Sequence, residues 1–352
     1  SDQKTDAMRI TRLLLFFFLF GGATMMTAQD IHFSQFSASP LTLNPALTGA
    51  FEGSFRIGGI YRDQWRSVTD NPFRTPSIFI DAPIVRGFGK NDWVGIGLSL
   101  VNDRAGAADL SHLRAMFSVS YHLGFGEKAN TMLSLGFQGG FVQKKLDQTA
   151  LVFQDQLLSG GLQNPSGTSM ELMNLTETNI NYADYSGGAV LNTFLAPQFN
   201  IYVGYALFHF TSPEDAFLSN TSDEFAELAM RNLVHGGFNW DFAPKWVLSP
   251  RVLWQNQASA SEIAAQARFG YHLNSEKTTT LNFGAGYRVD DAAIALLGLT
   301  IKGLDVGIAY DFNTSDLNNA SNGNGGFEIA ASYIAKIYKT PVVKPVLFCP
   351  RF

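Results

Sequence analysis

In its second half the chain alternates apolar and polar residues with period two. In "LDVGIAYDF", Leu304, Val306, Ile308, Tyr310 and Phe312 share one side of an extended chain, and Asp305, Gly307, Ala309 and Asp311 share the other. "LNFGAGYRV" sets Leu281, Phe283, Ala285, Tyr287 and Val289 against Asn282, Gly284, Gly286 and Arg288. "EIAAQARFGYH" divides in the same way, with Ile263, Ala265, Ala267, Phe269 and Tyr271 opposite Glu262, Gln266, Arg268 and His272. A soluble sandwich also alternates. Strands of about 10 residues or more, with tyrosine and tryptophan near their ends, fit an apolar band flanked by aromatic girdles better.

Extended over the whole chain, the pattern predicts strands at 54–66, 75–85, 92–104, 111–124, 130–147, 185–197, 199–212, 228–242, 246–258, 261–274, 279–290, 292–302, 304–315 and 325–338. Fourteen is an even number, as in single-chain bacterial outer-membrane barrels, and it places both termini on one side. The connections then fall into two classes. "RGFGKN", "GFGEKA", "AP", "APK", "NSEKT" and "KG" form one set of short turns, while the opposite side carries 148–184, 213–227 and 316–324. Short periplasmic turns and long outer loops are the expected asymmetry. Pro250 interrupts the ninth strand and predicts a bulge or a strand end there. The fold class is therefore all-β: a closed antiparallel transmembrane β-barrel over 54–338, with an irregular N-terminal segment and a short C-terminal tail.

The segments flanking the barrel complete this organisation. "MRITRLLLFFFLFGGATMMTAQD" has Arg9 and Arg12 before an apolar stretch from Leu13 to Phe20, and small Ala28 before Gln29. These features predict a signal peptide over 1–28, with residues 1–7 upstream of the true start at Met8. The apolar stretch is far shorter than the roughly 20 residues that span a bilayer as a helix. At 29–53, "QDIHFSQFSASPLTLNPALTGAFEG" reads as neither helix nor strand. Pro40 and Pro45 forbid regular ladder pairing, while Leu41, Leu43, Leu47 and Phe51 require burial. This predicts docking in the barrel lumen or on its periplasmic rim. The tail, 339–352, holds three prolines together with Leu347, Phe348 and the single cysteine, Cys349, and is expected to be periplasmic and docked.

Composition adds exclusions. The chain of 352 residues has 25 basic and 30 acidic side chains, and removing residues 1–28 moves its net charge from −5 to about −6. No nucleic-acid partner is indicated. One cysteine allows no internal disulfide. The six histidines, at 32, 112, 122, 209, 235 and 272, show no spacing that predicts a metal site, and neither a cofactor nor a catalytic constellation is expected. Arg56, Arg62, Arg114, Arg268 and Arg288 share the inward parity with Glu262, Asp305, Asp311 and Glu328. Mixed charges of this kind can pair across a lumen, narrow it, or hold the N-terminal segment.

Several ordered stretches, "HFSQFSASPLTLNPALTGAF", "IYRDQW", "SIFIDAPI", "GIGLSLVNDRAG", "LSLGFQGGF" and the ending "FCPRF", resemble the PorP/SprF family of outer-membrane proteins associated with type IX secretion. The resemblance runs from about Gln29 to the C-terminus and is densest before residue 155. It implies a non-enzymatic barrel in outer-membrane lipid that works with periplasmic secretion components or with a secreted surface protein, such as an adhesin of gliding motility. Under that reading Phe33, Leu41, Leu43, Asn44, Pro45, Leu347, Phe348 and Cys349 are candidates for partner docking. The alternative is a general porin or small-solute channel.

Overall fold

The structure is a computed structural model. It describes residues 30–337 except 68, 70, 87–90, 107, 127–129, 153–155, 157–168, 170–177, 216, 218–226 and 316–317. The strands are β1 (Phe55–Gln64), β2 (Phe73–Arg86), β3 (Trp93–Ala105), β4 (Leu110–Phe125), β5 (Thr131–Lys145), β6 (Asn179–Ala196), β7 (Phe199–Phe208), β8 (Arg231–Ala243), β9 (Trp246–Gln257), β10 (Ala260–His272), β11 (Thr279–Arg288), β12 (Ala292–Ile301), β13 (Leu304–Asn313) and β14 (Asn324–Ala335). Each pairs antiparallel with its chain neighbours, and β1 closes on β14 from Phe55↔Ala335 to Gln64↔Gly326. Closure leaves no strand edge unpaired, which a bilayer demands because it offers no water to free backbone groups.

The register follows the period-two pattern. Ile78, Leu98, Leu297 and Val203 point outward and are at least half exposed, as an apolar wall in lipid requires, whereas Asp311, Glu328, Arg62 and Arg288 point inward and are almost fully buried. Phe283, Tyr287 and Ile308 face out and Ala309 faces in, as the alternation predicts. Aromatic rings gather towards both rims. Trp246 packs against Tyr271 with centroids 4.9 Å apart and Trp240 against Phe242 at 5.7 Å, at the short-turn end; Tyr310 meets Phe312 at 4.9 Å near the other end. Ile308 sits mid-strand between outward Leu297 and Ile329. Ile308→Arg is therefore expected to cost about 2 to 4 kcal/mol of folding free energy in lipid vesicles, measured by reversible denaturation.

The prolines differ from expectation. Pro250 neither ends β9 nor bulges it, and its pairing with Ala267 of β10 is regular. Its missing N–H falls on the other side, where the ladder to β8 has no pair between Gly237↔Arg251 and Trp240↔Leu248. The Ser249 hydroxyl bridges part of that gap by donating to Asn239 Oδ1 at 2.7 Å. The register shift lies further along, between Trp240 and Ala243. The sixth strand begins at Asn179 rather than 185, and β14 ends at Ala335.

Candidate functional site

The segment ahead of β1 fills the lumen. It is built from short helical turns at Phe36–Ala38, Pro40–Leu43 and Pro45–Leu47, and a proline opens each of the last two, where its fixed φ suits a helix start and its missing N–H goes unneeded. Asn44 caps the third turn by accepting from the Ala46 N–H at 2.9 Å. Its amide donates to the carbonyls of Ala189 and Tyr205 at 3.3 and 3.1 Å and lies 3.2 Å from His235 Nε2. One side chain therefore shapes the segment and ties it to three strands.

The path runs along the barrel axis. Near the ends of β1 and β14 that lead into loops, Arg62 donates to the His32 carbonyl at 2.7 Å. Glu328 accepts the backbone N–H groups of Ser34 and Gln35 at 2.6 and 2.8 Å, one on each carboxylate oxygen. Ser34 Oγ donates to Asp311 at 2.6 Å and accepts from Arg288 at 2.6 Å, while Gln266 donates to the Ser34 carbonyl. Further along, Gln138 donates to the Leu41 carbonyl at 3.3 Å. At the short-turn end Ser120 donates to the Thr48 carbonyl, which also lies 2.8 Å from His122 Nε2. The Trp93 indole donates to the Gly49 carbonyl at 3.0 Å, and the Gly49 N–H donates to Asp81 at 2.7 Å. Among the described residues the two chain ends therefore lie at different ends of the barrel: Ile31–Phe33 sit near the long-loop end and Ala335 at the short-turn end. The N-terminal segment thus crosses the lumen before β1 begins, while the termini expected on one side lie outside the described residues.

The wall is shaped to receive it. A Cβ built at Gly136 would stand 2.2 Å from Ala46 N, one at Gly188 2.1 Å from Asn44 Oδ1, and one at Gly95 2.3 Å from the Thr48 carbonyl oxygen. Apolar residues replace polar ones where the segment presents apolar side chains. Phe36 and Leu43 join Ala206, Phe208, Leu233, Leu253 and Ala264, and Phe33 joins Ile60 and Ala330. Leu41 is fully buried, and each such side chain contributes about 1.5 to 3 kcal/mol.

The charges predicted to face inward all do so, and most are paired. Arg56 grips Asp81 through Nε and Nη2 at 2.9 and 2.7 Å. Arg62 reaches Asp311 at 3.3 Å and Glu328 at 3.4 Å, Arg288 reaches Asp311 at 3.3 Å and Glu262 at 3.9 Å, and Arg114 reaches Asp184 at 3.4 Å. Arg268 and Asp305 face a common chamber. Burial, reinforced by Arg288 and Arg62, pushes the His32 imidazole well below its ordinary pKa, and its Nδ1 lies 3.6 Å from Glu262.

Phe33, Leu41, Leu43, Asn44 and Pro45 are thus used against the barrel's own wall, and burial removes them from the surface a partner could reach. Leu347, Phe348 and Cys349 lie outside the described residues, as does most of the 148–184 loop. Asp81, Trp93, His122, Gln138, His235 and Gln266 hold the segment without having been singled out from sequence. The signal for all of them was inward parity combined with hydrogen-bonding capacity. Among the described residues no group of three metal-ligating side chains comes together.

The family description matching residues 25–333 is type IX secretion system membrane protein PorP/SprF. The chain belongs to the PorP/SprF family. None of the curated proteins matches the sequence. Among solved structures, the CymD monoaromatic hydrocarbon channel is 12% identical with a TM-score of 0.51, covering 86% of this chain and 93% of CymD. The Pseudomonas putida toluene transporter TodX is 11% identical with a TM-score of 0.48, over 84% and 93%. A Pseudomonas aeruginosa FadL homologue is 12% identical with a TM-score of 0.45, over 83% and 92%. At 12% identity the likeness to CymD speaks for the fold alone, a closed β-barrel. Membership of PorP/SprF makes this barrel a membrane protein of the type IX secretion system.

Proposed function

We propose that this PorP/SprF protein is a non-enzymatic outer-membrane component of type IX secretion that binds other parts of the machinery at its periplasmic end and a secreted surface protein, such as an adhesin, at its outer loops. The observation that carries this reading is the occupied lumen. Glu328, Asp311, Asn44 and Gly49 fix the segment at several levels of the axis, whereas a barrel built for solute diffusion keeps an aqueous path. A filled barrel leaves its rims and loops as the surfaces on which to act.

On this reading the short-turn end, with the start of β1 and the end of β14, faces the periplasm. A protease site inserted at 163–169, in a loop most of which lies outside the described residues, is then expected to be cut on whole cells. One placed after Phe352 should survive until the outer membrane is permeabilised. Equal cleavage of both on intact cells would overturn the sidedness. Deleting the gene should abolish surface delivery of at least one secreted protein, measured by surface proteomics, and restoring it should recover delivery. Unchanged surface proteins would count against the secretion role.

A further inference from the structure

On the short-turn side of Ser37–Pro40 the lumen retains a chamber of about 120 Å³ bordered by Arg56, Arg251, Arg268 and Asp305. It adjoins a second space of about 250 Å³ that shares Arg56 and Arg251 and adds Tyr202. The three arginines differ in how they are satisfied. Arg56 is fully engaged, by Asp81 and by the Leu47 carbonyl at 3.2 Å. Arg251 donates from Nη1 to Ser37 Oγ, but its Nε has no acceptor and no carboxylate of the described residues lies within ion-pair distance. Arg268 has neither a hydrogen bond nor an ion pair within the described residues, and the nearby Asp305 carboxylate instead accepts from Thr300 Oγ1 at 2.8 Å. Elsewhere in the lumen Arg62, Arg114 and Arg288 each meet a carboxylate.

Two guanidiniums that border one chamber repel each other, and the buried Arg251 Nε has lost water without gaining an acceptor. An anion between them relieves both costs. Guanidinium presents a planar fork of donors that matches carboxylate and phosphate better than a spherical halide. The Tyr202 side chain, on the adjoining wall, can offer a neutral hydroxyl donor. The smaller chamber has room for on the order of four waters, enough for one oxyanion and little else.

We propose that Arg251 and Arg268 form an oxyanion-binding site inside the barrel, open to a carboxylate- or phosphate-bearing ligand from the short-turn end. The site goes beyond the secretion role and stands without it. Its occupant bridges β9 and β10 to the underside of the lumenal segment through Ser37.

The test is isothermal titration calorimetry on the full chain folded in a non-ionic detergent, with sodium phosphate and sodium acetate each titrated against buffer matched in ionic strength with sodium chloride. Saturable binding of at least one oxyanion is expected, and R251Q and R268Q should each weaken it about tenfold or more. K302Q, at the β12–β13 turn, should leave it unchanged. Preference for phosphate would identify a phosphoryl ligand and preference for acetate a carboxylate, and either result supports the site. Heat-modifiable mobility on gels confirms that each variant is folded. Absence of saturable heat with both anions would overturn the proposal, as would folded variants that bind like the parent or chloride that competes as well as the oxyanions.

Discussion

Gly136→Val is expected to open the lumen while leaving the barrel folded. The added Cβ would meet backbone of the segment, 2.2 Å from Ala46 N and 2.3 Å from Pro45 C, distances that no side-chain rotation relieves. The backbone it strikes cannot yield locally either. Pro45 has a fixed φ, and Asn44, one residue before it, is tied to Ala189, Tyr205 and the Ala46 N–H. The strand itself accepts the change, since valine suits a pleated wall better than glycine, and the ladders to β4 and β6 use backbone groups that remain in place. The collision is therefore resolved by displacing the segment. Planar-bilayer recordings should show little steady conductance for the parent and a stable open pore for Gly136→Val. Deletion of 31–49 should give a pore at least as large. If the parent already conducts like the deletion, the lumenal segment is no barrier and the small-solute channel becomes the better account.

What could be read from sequence follows the range over which each signal acts. Strand position and facing are written locally, because period-two alternation is enforced at every residue of a wall with lipid on one side. Alternation alone accordingly assigns Ile308 and Asp311 to opposite faces. The path of 29–53 was less accessible. Its apolar residues demanded burial, but its turns are three or four residues long and carry no periodicity. The address was written instead in the receiving strands, as exceptions to their own pattern. Phe208, Leu233 and Leu253 are apolar at inward positions, and Gly95, Gly136 and Gly188 lack a side chain where the segment passes. Such exceptions resemble noise until the partner surface is known. Pro250 misled for a related reason: its cost depends on which neighbouring strand its nitrogen faces, and that is a property of the sheet rather than of the strand.

Glu328→Gln is expected to release the long-loop end of the segment. Glu328 is almost completely buried and holds the Ser34 and Gln35 N–H groups, one on each oxygen, with Arg62 3.4 Å away. A glutamine keeps the size but places an NH₂ group where one of those oxygens accepted, so a backbone donor would face another donor. It also removes a negative charge, leaving Arg62 with Asp311, which Arg288 shares. Removing one member of a buried charge pair costs about 3 to 5 kcal/mol. The closed ladder does not depend on that carboxylate, since Arg62 and Glu328 are already held opposite each other by backbone pairing. The loss should therefore appear as local opening rather than global unfolding. Amide exchange at Ser34 and Gln35 is expected to accelerate on the order of a hundred- to several-thousand-fold, with protection unchanged in the mid-strand amides of β3 to β5. Glu328→Asp, which keeps the charge but shortens the reach, should fall between the two. Uniform acceleration across all strands would instead mean that the lumenal segment and the barrel form one cooperative unit, with the charge cluster stabilising the wall as much as what it encloses.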